Sequence, residues 1–385
     1  MKSIIRFLQP SKKSYFLFGP RGTGKSTWVK KFYPTAAVLD LLEPNLDRLY
    51  KAAPERLYDF VDAHDKTTHT FIIDEVQKSP PVLSVVHSLI EKNKRYQFIL
   101  TGSSSRKLKK TGVDLLAGRA QLKTLHSFMP SELGDQFQLQ HAMKFGLLPL
   151  VLDSADPTGD LKSYIALYMK EEVQLEGLVR HIDQFARFLE AMSFSQASVV
   201  NYSNIARECH VSNPTVENYV TILEDLLLAF LLPVFTKKAK RHLITKPKFY
   251  YFDAGVYASI RPTGPLDEPA EMNGPILETI VAQTFRAWLA YSSQEGKLFF
   301  WRSKSGLEVD FVIYGEIGFY AIEVKNTTKI RPADLRSLQE FQLDYPTAQC
   351  VFLYRGKEKI KRGSVLCYPV EAFLKKLIPD QTWPT

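Results

Sequence analysis

The octapeptide Gly19-Pro20-Arg21-Gly22-Thr23-Gly24-Lys25-Ser26 has the G-x-x-x-x-G-K-[ST] spacing. It follows the apolar stretch Tyr15-Phe16-Leu17-Phe18 and opens a segment of helical character that begins Ser26-Thr27-Trp28-Val29. A strand, a glycine-rich loop and a helix in that order form a phosphate cradle. Glycines let successive backbone N–H groups turn inward, Lys25 reaches the outer phosphate oxygens, and the Ser26 hydroxyl is placed to ligate Mg²⁺. Further along, the apolar run Phe71-Ile72-Ile73 ends in Asp74-Glu75. At the end of a neighbouring strand, Asp74 would hold the Mg²⁺ through water, and Glu75 would orient or deprotonate an attacking water. A third run, Phe98-Ile99-Leu100, ends in Thr101-Gly102-Ser103-Ser104. Thr101 is there a candidate sensor of the terminal phosphate, although Thr and Ser also suit an ordinary turn.

A second group of residues with chemical potential lies near the C-terminus, in Glu308-Val309-Asp310-Phe311-Val312-Ile313-Tyr314-Gly315-Glu316-Ile317-Gly318-Phe319-Tyr320-Ala321-Ile322-Glu323-Val324-Lys325. The alternation and the Gly-Glu-Ile-Gly quartet predict a β-hairpin. If Gly315 pairs with Gly318, Asp310 lies across from Glu323 and Glu308 across from Lys325, all on one face. The opposite face, with Val309, Phe311, Ile313, Ile322 and Val324, is the one expected to bury. Facing carboxylates repel unless a cation lies between them, and hard oxygen ligands favour Mg²⁺. Lys325 beside them would orient a water or steady the charge on a cleaved phosphodiester. Glu278, in the apolar helical pattern Ile276-Leu277-Glu278-Thr279-Ile280-Val281, completes the cluster if that helix packs beside the hairpin. An exposed hairpin face of mixed charge explains the same residues without any metal.

These groups need elements to hold them, and the hydrophobic periodicity supplies an α/β architecture. The first third alternates short apolar runs (15–18, 36–41, 71–73, 98–100) with helical patterns, as in a buried parallel sheet. From Ser163 to Asp225 the apolar spacing is helical, and Tyr202 to Asp225 reads as helix, turn, helix, with Ser203 and Ser212 as expected caps. A run without acids, Thr236 to Lys248, carries Lys237, Lys238, Lys240, Arg241, Lys246 and Lys248 and reads as a wing or linker. A helix from Ile276 to Ala290 and strands at 298–301, 307–313, 319–325 and 349–354 then form a second α/β region. With 385 residues the chain exceeds what a single core usually holds, so the expected division is residues 1–135, 136–250 and 251–385.

The motifs Gly19 to Ser26, Ile72-Ile73-Asp74-Glu75-Val76-Gln77, Leu100-Thr101-Gly102-Ser103-Ser104, Leu116-Ala117-Gly118-Arg119 and Pro130-Ser131-Glu132-Leu133 together resemble a known family. It comprises prokaryotic AAA-type ATPases in which a P-loop parallel-sheet domain is joined to a winged-helix segment and a C-terminal α/β restriction-endonuclease-like domain of unknown function. The resemblance implies ATP rather than GTP, with Mg²⁺. It implies that Arg119 stabilises charge at the γ-phosphate, in its own chain or from a neighbour in a homo-oligomer. It also places a metal cluster on Glu278, Asp310 and Glu323, with Lys325 there to orient or activate a water or to steady charge.

Composition narrows the setting. A net charge of +9 favours an acidic partner such as nucleic acid, here DNA. Yet the second helix of the helix-turn-helix offers Asn213, Thr215, Glu217 and Asn218, with no Lys or Arg to neutralise phosphate. The three cysteines lack metal-ligand spacing, and no apolar stretch reaches the length of a membrane span, so a cytoplasmic protein is expected. Two functions fit: an ATP-driven, DNA-directed protein controlling a Mg²⁺-dependent nuclease domain, or a nucleotide switch whose C-terminal domain is a docking module.

Overall fold

The computed structural model describes residues 4–385 except 65, 67, 104–117, 170–172, 174–181, 237–245 and 304. Lys237, Lys238, Lys240 and Arg241 of the basic run, and Ser104, Leu116 and Ala117 of the family motifs, therefore lie outside the described residues. The chain divides into two compact units. The smaller is Leu8–His126 with Asp225–Leu227, and the larger is Met1–Phe7, Ser127–Glu224 and Leu228–Thr385.

In the smaller unit, strands β1 (Tyr15–Phe18), β2 (Ala37–Asp40), β3 (Thr70–Asp74), β4 (Gln97–Gly102) and β5 (Gln121–Thr124) form one sheet in the order β2-β3-β4-β1-β5. Every pairing in it is parallel. β1 is buried along its whole length, which is why it reads as an uninterrupted apolar run. Helices α1 (Lys25–Phe32), α2 (Pro44–Ala52), α3 (Arg56–His64) and α4 (Val82–Lys92) connect the strands. α4 contributes Val82, Leu83, Val85, Val86, Leu89 and Ile90 to the same core as Phe16, Phe71 and Phe98. The sequence reading missed β5, whose half-exposed Gln-Leu-Lys-Thr pattern belongs to an edge strand paired on one side only.

The larger unit begins with short helical turns and α5 (Ile182–Ser193), followed by β6 (Ser198–Val199), α6 (Tyr202–Glu208), α7 (Asn213–Asp225), β7 (Ala229–Leu232) and β8 (Lys248–Tyr251). The three strands make an antiparallel sheet in the order β6-β8-β7. Asn201, not Ser203, caps α6, because its side chain accepts from the Asn204 N–H; Ser212 accepts from Thr215 N–H at the start of α7, at 3.3 Å. α8 (Ala254–Ile260) is capped by Asp253, a wholly buried carboxylate that also accepts from the Leu147 N–H and the Gln283 amide.

A helix of 23 residues, α9 (Pro269–Tyr291), precedes the second large sheet. That sheet comprises β9 (Gly296–Arg302), β10 (Glu308–Gly315), β11 (Gly318–Lys325), β12 (Gln349–Tyr354), β13 (Ile360–Arg362) and β14 (Val365–Pro369), in the order β13-β14-β12-β11-β10-β9. β11, β12 and β14 run parallel, and the remaining pairs are antiparallel. α10 (Arg336–Asp344) inserts Leu338 and Phe341 into a core with Val309, Val312, Ala321 and Phe352. β10 and β11 form the expected hairpin with Gly315 opposite Gly318. The expectation of one buried face needs correction. A register shift between Val309 and Val312 turns both of these inward on the α10 side, and the carboxylate-bearing positions Asp310 and Glu323 are buried as well, at 7% and 4% exposure. Among the described residues no helix is long and apolar enough to cross a membrane.

Candidate functional site

The phosphate loop leaves β1 and enters α1 through two glycines in the left-handed region, Gly22 (φ 77°) and Gly24 (φ 89°). Gly19 is fixed for a different reason: a Cβ there would lie 2.4 Å from the Leu125 carbonyl oxygen at the end of β5. The loop is pinned internally. Thr23, fully buried, donates its hydroxyl to the Pro20 carbonyl at 2.8 Å, and the Lys25 ammonium folds onto the carbonyls of Gly19 (2.6 Å) and Pro20 (3.2 Å). Arg21 is half-buried, whereas Ser26 and Thr27 in the first turn of α1 are exposed. The first turn of the helix thus carries Ser26 and Thr27 at the surface, beside the positive end of the helix dipole.

Parallel pairing brings the ends of β3 and β4 next to this loop, and three sequence-predicted residues meet there. The Ser26 hydroxyl donates to Asp74 Oδ2 at 3.1 Å, and the Thr101 hydroxyl donates to Asp74 Oδ1. Asp74 is held from both sides, one oxygen toward the loop and the other toward β4. Glu75 follows with φ 56°, a left-handed backbone that a side chain with a Cβ adopts only under constraint, and it is buried. Its carboxylate accepts from the Gln77 amide, which also donates to Ser103 Oγ at 3.1 Å. Sequence reasoning missed the pairing of Gln77 with Ser103, and only their position in the quoted motifs marks them. Arg119 lies just before β5, with its guanidinium paired to Glu91 of α4.

This donor set suits a magnesium nucleotide. A hydroxyl and a carboxylate at one strand–helix junction are the oxygen ligands Mg²⁺ takes alongside water and phosphate, and the glycine loop leaves room for backbone approach to phosphate.

The C-terminal carboxylates also converge, in a different form from that expected. Lys248, at the start of β8, is 1% exposed, and its ammonium lies 2.7 Å from Glu308 Oε1, 3.1 Å from Glu278 Oε1 and 3.4 Å from Asp310 Oδ1. The Tyr250 hydroxyl donates to Glu278 Oε1 at 2.6 Å, and the Val324 N–H donates to Asp310 Oδ2 at 2.8 Å. On the neighbouring strand, Glu323 pairs with Lys325 at 3.0 Å and accepts from Ser337 at 3.3 Å. Burial, then the negative charge of Asp310, pushes the Glu278 carboxyl up to about 7 and the Glu323 carboxyl up to about 8. Burial alone would lower the Lys248 ammonium, but Glu278, Tyr250, Asp310 and Glu308 hold it well above its ordinary range.

Glu278, Asp310, Glu323 and Lys325 are thus brought together, but as they stand they do not fit a divalent ion. Among the described residues no group of three or more His, Cys, Asp or Glu is arranged to hold a metal. Sequence reasoning missed Lys248 because a lysine ending a basic run reads as solvated, whereas this one is the first residue of a buried strand.

Comparison with known proteins divides the chain into three matched stretches. Residues 11–134 match a family described as an AAA domain. Residues 136–267 match a Domain of unknown function (DUF8612), and residues 273–373 a Domain of unknown function (DUF4143). No curated protein matches the chain. Solved structures similar to it include the ORC2 protein of Aeropyrum pernix in its ADP form, at 13% identity, covering 71% of this chain and 89% of that one with a TM-score of 0.30. Another is protein VC1899 of Vibrio cholerae, at 10% identity, covering 94% and 96% with a TM-score of 0.21. Similarity at that level carries no argument about this chain. The match over residues 11–134 and the parallel sheet with its phosphate loop fit an AAA-type P-loop fold at the N-terminal end.

Proposed function

We propose that this protein binds ATP with Mg²⁺ in the loop Gly19 to Ser26, hydrolyses it, and uses the cycle as a nucleotide-dependent switch. The observation that carries the reading is the convergence of Ser26 and Thr101 on the two oxygens of Asp74, with Glu75 buried beside them. Ser26 and Asp74 would hold the magnesium, which when bound neutralises phosphate charge. The remaining work falls to the chain itself. Lys25 exchanges its carbonyl partners for the β- and γ-phosphate oxygens, and the α1 N–H groups bind phosphate. Glu75, oriented by Gln77, takes the proton of the attacking water, while Thr101 keeps Asp74 aligned. In this proposal Arg119 leaves Glu91 to reach the γ-phosphate of its own or a neighbouring copy in a homo-oligomer.

The reading includes the three-part division at 1–135, 136–250 and 251–385 and a cytoplasmic setting. It treats α6, α7 and the β6-β8-β7 sheet as a winged helix, and the six-stranded sheet with α9 and α10 as a restriction-endonuclease-like fold. The charge of +9 favours a nucleic-acid partner such as DNA. Asn213, Thr215, Glu217 and Asn218 at the start of α7 carry no cation, which favours a structural or partner-binding winged helix over groove reading.

A second reading makes the C-terminal domain a Mg²⁺-dependent nuclease, favoured by Asp310, Glu323 and Lys325 lying together on adjacent strands. The ammonium of Lys248 among those carboxylates weighs against it, and nicking of supercoiled plasmid lost in Asp310→Ala would restore it.

The leading reading is tested with Glu75→Gln, which keeps shape and loses the carboxylate. ATP should still bind while phosphate release slows by at least ~10²-fold. Hydrolysis at wild-type speed would remove Glu75 from its role.

A further inference from the structure

Carboxylates crowded into a buried site repel one another strongly, and each keeps its charge only if a cation or hydrogen-bond donors face it. Glu278 comes from α9, and Glu308 and Asp310 come from β10; the three converge on one point. That point is filled. A lysine ammonium has three N–H donors and no acceptor, and the three carboxylates lie 2.7, 3.1 and 3.4 Å from the Lys248 nitrogen. Number of donors and number of anions match.

Further donors from the chain reinforce this arrangement. Asp310 Oδ2 takes the Val324 N–H, and Glu278 Oε1 takes the Tyr250 hydroxyl as well as the ammonium. Glu323 is turned to Lys325 and Ser337. The lysine cannot easily leave, because its stem is buried with the Phe249, Tyr250 and Tyr251 strand and its nitrogen lies 5.5 Å from the centre of the Phe300 ring.

We propose that Lys248 is the resident cation of this cluster: its ammonium holds the position among Glu278, Glu308 and Asp310 that a divalent ion would require, and it closes the C-terminal carboxylates to Mg²⁺. A chain that lost the lysine would keep three carboxylates around one point, and they would close in from 2.7–3.4 Å to take a metal ion in its place. The proposal is independent of the ATPase reading.

The test uses the full chain without nucleotide, with Asp74→Asn introduced to remove the metal ligand of the phosphate loop, and Mn²⁺ as the probe. Bound Mn²⁺ is counted by electron paramagnetic resonance, and melting temperature is followed in EDTA and in Mn²⁺. Asp74→Asn alone should bind no Mn²⁺ and melt at the same temperature in both. Adding Lys248→Met should lower the melting temperature in EDTA, and Mn²⁺ should restore it with one ion bound per chain. Should that variant fail to fold in EDTA, Lys248→Met with Glu308→Gln removes one charge of each sign and should still take up one Mn²⁺. One Mn²⁺ bound per chain while Lys248 is present, or none bound by either lysine variant, would overturn the proposal. The Asp74→Asn measurement decides the closure to metal even where no lysine variant folds.

Discussion

Thr101→Val removes a single hydroxyl from the nucleotide site while leaving the shape of the side chain almost unchanged. Thr101 is 1% exposed and donates to Asp74 Oδ1, while Asp74 Oδ2 faces Ser26 at 3.1 Å. Without the donor, Asp74 keeps its charge but loses the contact that fixes its rotation toward the loop. A hydrogen bond to a charged group is worth about 1.5–3 kcal/mol, which corresponds to about 10- to 150-fold in an equilibrium or a rate. The loss should appear as a weaker use of Mg²⁺. In steady-state phosphate release at fixed ATP, the half-saturating Mg²⁺ concentration should rise by that factor, while nucleotide binding in EDTA changes little. Thr101→Ser restores the hydroxyl and should restore most of the Mg²⁺ response. Equal Mg²⁺ dependence in wild type, Thr101→Val and Thr101→Ser would refute the claim that Thr101 aligns a metal-holding carboxylate.

Gln77→Leu leaves the core volume similar but unties Glu75 from Ser103, so turnover should fall about tenfold or more with the KM for ATP nearly constant, as measured by initial rates. Glu323 gives a pH signature: its carboxyl is pushed up to about 8 by burial and then by Asp310, so the folded state binds its proton more tightly than the unfolded chain does. Its contribution to stability is complete below the ordinary carboxylate range and is lost as pH rises through about 8, so the melting temperature should decline across that interval and Glu323→Gln should flatten the decline; identical slopes would show that Glu323 stays ionised in the fold.

Much of the N-terminal site is written locally. Strands that are buried on both faces must be apolar throughout, so β1, β3 and β4 stand out as runs, and the chemistry lies in the few polar residues at their ends. The glycine spacing marks the loop because backbone that closely approaches Leu125 and turns through positive φ tolerates little else. The hairpin was legible for a related reason: alternation and two glycines fix its register. The edge strands β5 and β13 were not, since β5 is half-exposed and β13 is only three residues long.

Lys248 shows the limit more sharply. Its role depends on strand β8, helix α9 and strand β10 meeting, which are contacts across 30 and 62 residues of sequence. Local composition around it, rich in lysine, points instead to solvent. Gln77 and Ser103 were hidden in the same way, since they meet only where the turn after β3 comes beside the end of β4.

The central claim is that the loop Gly19 to Ser26 binds and turns over ATP through Lys25, a residue 6% exposed whose ammonium rests on the loop carbonyls. Equilibrium ATP binding and phosphate release by wild type and Lys25→Ala, with circular dichroism to verify the fold, test it directly. The account predicts an active wild type and a folded variant with sharply reduced affinity or turnover. An active wild type beside a variant that binds and hydrolyses ATP normally would contradict it.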